Sequence, residues 1–199
     1  MIQVVTPLAV TLMTDSEPSV LPPRLTPDRQ FPPYSYVTGR FPHPTRDPAG
    51  HSFGHAPLAP PPIDPESWQP SRDYLFACDL FNYGYYWESH EVWESLWQAC
   101  GRNGPTADFL KGLIKLAAAG VKAREGRATG VKRHATRAAE LFSLVQAAIG
   151  RSNFLGLDLD WLISMAKTLE SDFVLPPPSD ASVQIVFAFR LLPRLSGTA

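Results

Sequence analysis

A chain of 199 residues, 44% hydrophobic and 19% charged, is long enough for one well-packed domain with extensions. Its formal net charge of −1 at pH 7 removes most long-range attraction toward nucleic acid and other polyanions. No apolar run reaches the ~20 residues needed to cross a bilayer, so the composition predicts a soluble protein without a membrane partner.

Proline placement divides the chain. Sixteen of the 21 prolines lie within residues 1–70, and Pro105 is the only one between residues 71 and 175. Because proline breaks helix interiors, the proline-poor stretch is the candidate helical body. We predict, in chain order, a disordered lead over 1–30, an extended arm rich in proline and aromatic residues over 31–70, a helical bundle over 71–171 and an extended tail over 172–199.

The lead and the arm differ in character. The lead has no hydrophobic periodicity, and Met13 reads as a natural start, with residues 1–12 a start-site artefact or a disordered lead. The arm is crowded with aromatic residues and histidines, which favours docking on the helical body, the alternative being a sticky disordered segment. Cys78 and Cys100 form no disulfide framework, so we expect free thiols in a reducing cytoplasm.

Hydrophobic periodicity predicts an all-α fold, an antiparallel bundle of four to five helices. The predicted helices run over 71–83 with Ser71 as N-cap, over 86–99, from Thr106 to about residue 125, over 128–149, and onward from Asp158. The segment 117–120, three alanines and a glycine, predicts a close neighbour. The apolar tail segment 183–195 is expected to lie across the bundle or to pair with a partner chain in a homodimer.

Charge is segregated along the body. Residues 73–98 hold five acidic residues and no lysine or arginine, whereas residues 102–151 hold ten basic residues and three acidic ones. The simplest interpretation is that the two hairpins pack together and neutralise each other. A basic surface for nucleic acid is the alternative, and we disfavour it because the whole chain is close to neutral.

The second predicted helix carries the most distinctive chemistry. Helical geometry places His90 and Glu94 one turn apart on a stripe flanked by three tryptophans, Trp87, Trp93 and Trp97, with Glu91 at its edge. A solvent-facing stripe is rarely so aromatic, and a core stripe rarely contains histidine and glutamate. A buried carboxylate must find a partner or become protonated, so this stripe is the candidate site.

Three arrangements would provide partners for the polar side chains of this stripe. In the first, His90 bonds Glu94 and a basic residue completes an internal network. In the second, His90 and Glu94 bind a divalent metal, with Glu91 or an arm histidine such as His43, His51 or His55 as a further ligand. In the third, a small polar or anionic ligand is bound by a set that we predict to be His90, Glu91, Glu94, Trp87, Trp97, Asn82, Arg46, Lys111 and Lys115.

These residues also carry a family resemblance. The pattern Leu80-Phe81-Asn82-x-Gly84-x-Tyr86-Trp87-Glu88-x-His90-Glu91-x-x-Glu94-x-x-Trp97, with the glycine-bearing apolar run 109–118 after it, resembles the bacterial and archaeal domain of unknown function 309 family. The match covers about residues 72–145, and the arm looks like an extension found in a subset of such proteins. The resemblance implies a small all-α bundle and assigns no activity.

The sequence therefore predicts a module that binds a small ligand or a protein partner around His90, Glu91 and Glu94. The alternative is a metal-dependent, hydrolase-like enzyme in which His90 and Glu94 hold the ion and Glu91 or Glu94 acts as general base. A divalent metal is the candidate cofactor, and nucleic acid is not an expected partner.

Overall fold

The computed structural model describes residues 21–55 and 58–195, and within these ranges five helices form the body. Consecutive helices pack against each other, which confirms the predicted mostly helical bundle. A short antiparallel hairpin between the last two helices was not expected from the sequence. The elements are α1 (Arg72–Asn82), α2 (Tyr86–Ala99), α3 (Gly104–Arg124), α4 (Ala128–Ile149), β1 (Asn153–Phe154), β2 (Leu157–Asp158) and α5 (Leu159–Ser171).

Local signals in the sequence set most helix ends. The helix α4 ends at Gly150, which adopts the left-handed conformation with φ of 65° that a residue with a Cβ disfavours. The helix α5 begins where the Asp158 carboxylate accepts the Trp161 N–H at 3.0 Å. The helix α3 starts at Gly104, two residues before the predicted Thr106, because Pro105 is well suited to the first helical turn.

The helix α3 is the central element. Buried residues lie on more than one of its faces, among them Phe109, Leu110, Leu113 and Ile114, and it packs against α2 and α4. The small residues of the segment 117–120 admit a close neighbour as predicted, because the Tyr86 ring lies directly over Gly120. A Cβ added at Gly120 would lie 2.4 Å from Tyr86 Cγ, so a larger residue there would displace the ring.

Every residue of α1 from Tyr74 to Asn82 is buried. Extended segments outside the helices cover the side of α1 that faces away from the bundle. Residues 21–30 belong to this cover, which corrects the prediction of a disordered lead up to residue 30. The Asp79 carboxylate accepts the Leu25 and Thr26 N–H groups, each at 2.8 Å, and the Thr26 hydroxyl at 2.6 Å. The lead over 1–20 and the proposed start at Met13 lie outside the described residues.

The aromatic arm also lies on the helical body. The Phe31 ring is 4.9 Å from the Tyr85 ring between centroids, and the Tyr36 ring is 5.4 Å from the Trp87 ring. The Ser35 N–H donates to the Ser182 carbonyl at 3.0 Å, so the arm contacts the C-terminal tail as well. Docking of the described part of the arm therefore rests on aromatic packing and on backbone hydrogen bonds.

The C-terminal tail lies across its own bundle, one of the two placements expected from its apolar sequence. Phe187 and Leu191 are buried, and the Val186 N–H donates to the Tyr86 hydroxyl at 3.0 Å. The Asn82 side chain donates to the Leu191 carbonyl at 2.8 Å and accepts the Leu191 N–H at 2.7 Å. Asn82, predicted as a ligand-binding residue, instead holds the tail. Homodimer formation stays a prediction.

None of the helices in the described ranges combines the length and apolar character required to cross a membrane.

Replacing Asn82 with alanine removes both hydrogen bonds and leaves two buried backbone groups of Leu191 unpaired. We expect Asn82→Ala to lower the free energy of unfolding by about 2–4 kcal/mol, since each orphaned buried group costs about 1–3 kcal/mol. Urea denaturation measures this loss, and hydrogen exchange at Leu191 should accelerate. The exposed Asn103→Ala is the matched control; equal effects of the two variants would contradict the proposed tail anchor.

Candidate functional site

Three potential ligand side chains meet on two successive turns of α2. One nitrogen of His90 and one carboxylate oxygen each of Glu91 and Glu94 lie within 4.8 Å of one another. His90 Nε2 is 3.9 Å from Glu94 Oε2, which is close enough for an electrostatic contact and too long for a hydrogen bond. The helical spacing that the sequence predicted therefore brings these three groups together.

The cluster lies at the protein surface. The His90 side chain is 29% exposed and the Glu94 side chain 41% exposed, so the stripe is not enclosed by its tryptophans as the sequence suggested. Trp93 is fully buried in the core and faces Phe81, with ring centroids 5.9 Å apart. Surface access is what a site needs in order to exchange a ligand with solvent.

The surroundings shift the protonation of two cluster members. Partial burial, followed by the charges of Glu94 and Glu88, raises the pKa of Glu91 to about 7, against a smaller opposing effect of Arg46. Burial, with Lys115 adding to it, lowers the pKa of His90, although Glu94 acts in the opposite direction. His90 is therefore predominantly neutral at pH 7, and its ring carries a free nitrogen lone pair that can bind a cation.

Basic side chains of α3 border the cluster. The charge of Lys115 helps to lower the pKa of His90, and the charge of Glu94 acts in turn on the pKa of Lys115. Burial and the charges of Lys111, Arg137 and Arg133 lower the pKa of Lys115. Lys111 Nζ lies 5.8 Å from the Trp97 ring centroid, a long cation–π contact. The predicted residues Lys111, Lys115 and Trp97 therefore lie along the same edge as the cluster.

His134 of α4 is a site residue that the sequence did not predict. Burial and the positive charges of Lys115, Arg133 and Lys122 lower its pKa to about 4, and His90 also acts on it. The ring is thus neutral at pH 7, and its interaction with His90 links it to the α2 cluster. A sequence signal for this residue exists. His134 comes three residues after the buried Val131, so it lies at the border of the apolar stripe of α4.

The arm residues predicted for the site fall in three places. The positive charge of Arg46 acts on Glu91 and partly opposes the rise in the pKa of that carboxyl group. The His43 ring packs at 5.7 Å from the Trp87 ring, and its Nδ1 accepts the Thr45 N–H at 3.3 Å. His51 instead contacts Glu88, with 3.5 Å between Nε2 and Oε1. Neither histidine is part of the cluster that His90, Glu91 and Glu94 form, and their role as metal ligands stays a prediction.

Glu88 is the centre of a second, buried polar group. It is 5% exposed, and its Oε1 accepts the Tyr36 N–H at 2.8 Å in addition to its contact with His51. Burial lowers the pKa of Arg124 in α3, and the negative charge of Glu88 acts in the opposite direction. The Arg124 guanidinium donates to the Ser35 carbonyl at 3.1 Å and to the Ala181 carbonyl at 2.9 Å. This group joins α2, α3, the arm and the tail.

Sequence reasoning missed Glu88 and Arg124 as buried partners. Arg124 follows Gly120 by four residues, so it continues the apolar stripe of α3 that passes through Leu116. A charged residue on the extension of a buried stripe is a signal for an internal partner. Glu88 gives no comparable signal, because the segment that buries it comes from residues 35–51 of the arm.

The comparisons with known proteins agree with the resemblance seen in the sequence. Residues 74–134 match the model of a family described as Domain of unknown function (DUF309), and this segment belongs to that family. No curated protein and no solved structure matches the chain. The matched segment runs from α1 into α4 and includes His90, Glu91, Glu94 and Lys115, whereas Arg46 and the rest of the arm lie outside it.

The raised pKa of Glu91 implies that ionising this residue destabilises the folded protein. The folded-state pKa of about 7 exceeds the ordinary value of 4.5, so the stabilisation by protonated Glu91 is present below pH 4.5 and is lost as the pH rises through 7. We expect Glu91→Gln to be more stable than the natural protein at pH 8 by about 1–2 kcal/mol, after solvent screening of this partly exposed group.

Urea denaturation at pH 4, 6 and 8 measures the Glu91 effect. The difference between the two proteins should be smallest at pH 4 and grow up to pH 8. Glu140→Gln, at an exposed position on α4, removes the same charge and serves as the control. A Glu91→Gln effect that does not change with pH would contradict the raised pKa.

The buried group around Glu88 predicts a large cost for removing its carboxylate. Glu88→Ala leaves the Tyr36 N–H without its acceptor and removes the negative charge that acts on Arg124, and orphaning one such group costs about 1–3 kcal/mol. Urea denaturation gives the loss, and hydrogen exchange at Tyr36 reports release of the arm. Glu140→Ala is the exposed control. Unchanged protection of Tyr36 would show that Glu88 does not hold the arm.

Proposed function

We propose that this protein is a small-ligand-binding module and that His90, Glu91 and Glu94 of α2 hold a divalent metal ion. The observation that carries the proposal is the convergence of one imidazole nitrogen and two carboxylate oxygens within 4.8 Å. Metal–ligand distances near 2.0–2.2 Å require these atoms to approach one another further, which rotation of partly exposed side chains on one helix allows.

The chemistry of the donors supports a transition-metal ion. One nitrogen and two oxygen donors suit Zn²⁺, Fe²⁺ or Mn²⁺ and leave coordination positions for water or a further ligand. Two carboxylates also balance the charge of a divalent ion. Loss of the proton from Glu91 accompanies binding, so affinity should increase with pH around the pKa of about 7.

A metal-dependent hydrolase is the second candidate, and the pKa of Glu91 favours it. A carboxyl group that titrates near pH 7 can take a proton from water under physiological conditions. In this reading His90 and Glu94 are the metal ligands and Glu91 is the general base. The free thiols of Cys78 and Cys100 fit our further proposal that the protein acts in the reducing cytoplasm.

Metal binding is tested by calorimetric titration of Zn²⁺ and Mn²⁺ into the full chain purified without a histidine tag. We expect one ion per chain and a higher melting temperature, because a ligand at 100 times its Kd adds about 2.7 kcal/mol of stability. His90→Ala should weaken binding by about 100-fold or more, since even outer-shell changes cost about 10–100-fold.

His55→Ala is the matched control, because it removes an exposed imidazole of the arm that is not part of the cluster. Equal binding by both variants, or a wild-type chain that binds neither ion, would refute the metal site. Either outcome would also remove the hydrolase candidate. A wild-type melting temperature that chelation leaves unchanged after metal loading would count against both as well.

A further inference from the structure

The basic residues beside the cluster are concentrated on one edge of the α3–α4 pair. Lys111 and Lys115 are one turn apart on α3, and Arg133 and Arg137 are one turn apart on α4, which packs against α3. The positive charges of Lys111, Arg137 and Arg133 each act on Lys115, and the negative charge of Glu94 acts on it in the opposite direction. The edge therefore holds several positive charges close together.

Most of these positive charges have no ionic partner. Arg137 pairs with Glu140 at 2.5 Å. Within the described residues, Lys111, Lys115 and Arg133 form no ion pair, and the contact recorded for Lys111 is with the Trp97 ring. Like charges held together without counter-charges repel each other, so this arrangement favours binding of an anion.

The charge balance of the edge indicates a dianion. If a divalent ion is balanced by Glu91 and Glu94, three positive side chains remain beside it. A carboxylate would offset one of these charges, whereas a phosphate monoester carries close to two negative charges at pH 7. Its oxygens can also bind a metal ion and ammonium or guanidinium donors at the same time.

We infer that the ligand of this site is a phosphomonoester whose oxygens contact Lys115, Lys111 and Arg133 beside the ion held by His90, Glu91 and Glu94. This inference rests on the proposed function and names the ligand class of the same site. His134 follows Arg133 on α4, and its neutral ring supplies one further nitrogen that can donate a hydrogen bond to a phosphate oxygen.

A small phosphate compound fits this edge better than a nucleic-acid backbone does. The chain as a whole has a net charge of −1, so it lacks the excess of positive charge typical of non-specific nucleic-acid binding. A single phosphate group needs no positive charge beyond the three cations and the ion.

The test is calorimetric titration of phenyl phosphate into the full chain, with and without saturating Mn²⁺. We expect binding that Mn²⁺ strengthens and that Lys115→Gln weakens at least about tenfold, as expected for loss of one charge-assisted contact. Lys111→Gln is a second variant on the same edge, and melting curves establish that both fold. Lys132→Gln, an exposed position on α4, removes an equal charge and should bind normally.

Each outcome bears on one claim. Mn²⁺ binding without phenyl phosphate binding would overturn the phosphate inference and leave the metal site intact. Phenyl phosphate binding that depends on Lys115 in a chain that binds no metal would support the phosphate site and refute the metal proposal. Equal losses in Lys115→Gln and Lys132→Gln, or much tighter binding of a 20-nucleotide single strand that both variants weaken, would overturn the inference in favour of a general polyanion surface.

Discussion

The structure depends on buried polar side chains of the α1–α2 hairpin that bind the backbone of extended segments. Where the structure describes the arm and the tail, they pair with no strand, so their buried N–H and C=O groups must be paired elsewhere. Asp79 accepts from residues 25 and 26, Glu88 accepts from Tyr36, and Asn82 holds Leu191 through two hydrogen bonds. One helical hairpin thereby anchors described segments of the chain that form neither helix nor strand.

This constraint gives α2 two different polar sides. Glu88 faces inward toward His51 and the side of Arg124, under the docked arm. His90, Glu91 and Glu94 lie on the edge that the arm leaves accessible. The two sides are coupled through charge, because Glu88 contributes to the raised pKa of Glu91. Arg46 of the docked arm adds a direct electrostatic effect on Glu91.

The accessible edge combines groups of opposite charge that do not neutralise each other. The sequence suggests that an acidic hairpin and a basic hairpin pack and cancel. In the described part of the structure, Lys111, Lys115 and Arg133 form no ion pair, although the negative charge of Glu94 acts on Lys115. A site with adjacent carboxylates and cations can bind a metal ion and an anion together, each making the other less costly to bind. This is the physical basis of the proposed ligand.

Local sequence signals determined the helices and the His90, Glu91 and Glu94 cluster. Helical spacing, glycine stops and an aspartate cap act over a few residues, so the bounds of α2 and α4 and the meeting of these three side chains follow from the sequence.

Only the tertiary structure decided how residues far apart in the chain pair. The docking of residues 21–30, the role of Asn82 at Leu191 and the burial of Glu88 beneath the arm arise from contacts across 50 to 110 residues. No local pattern encodes such pairings, because which polar group meets which is set by the packed arrangement of the whole bundle.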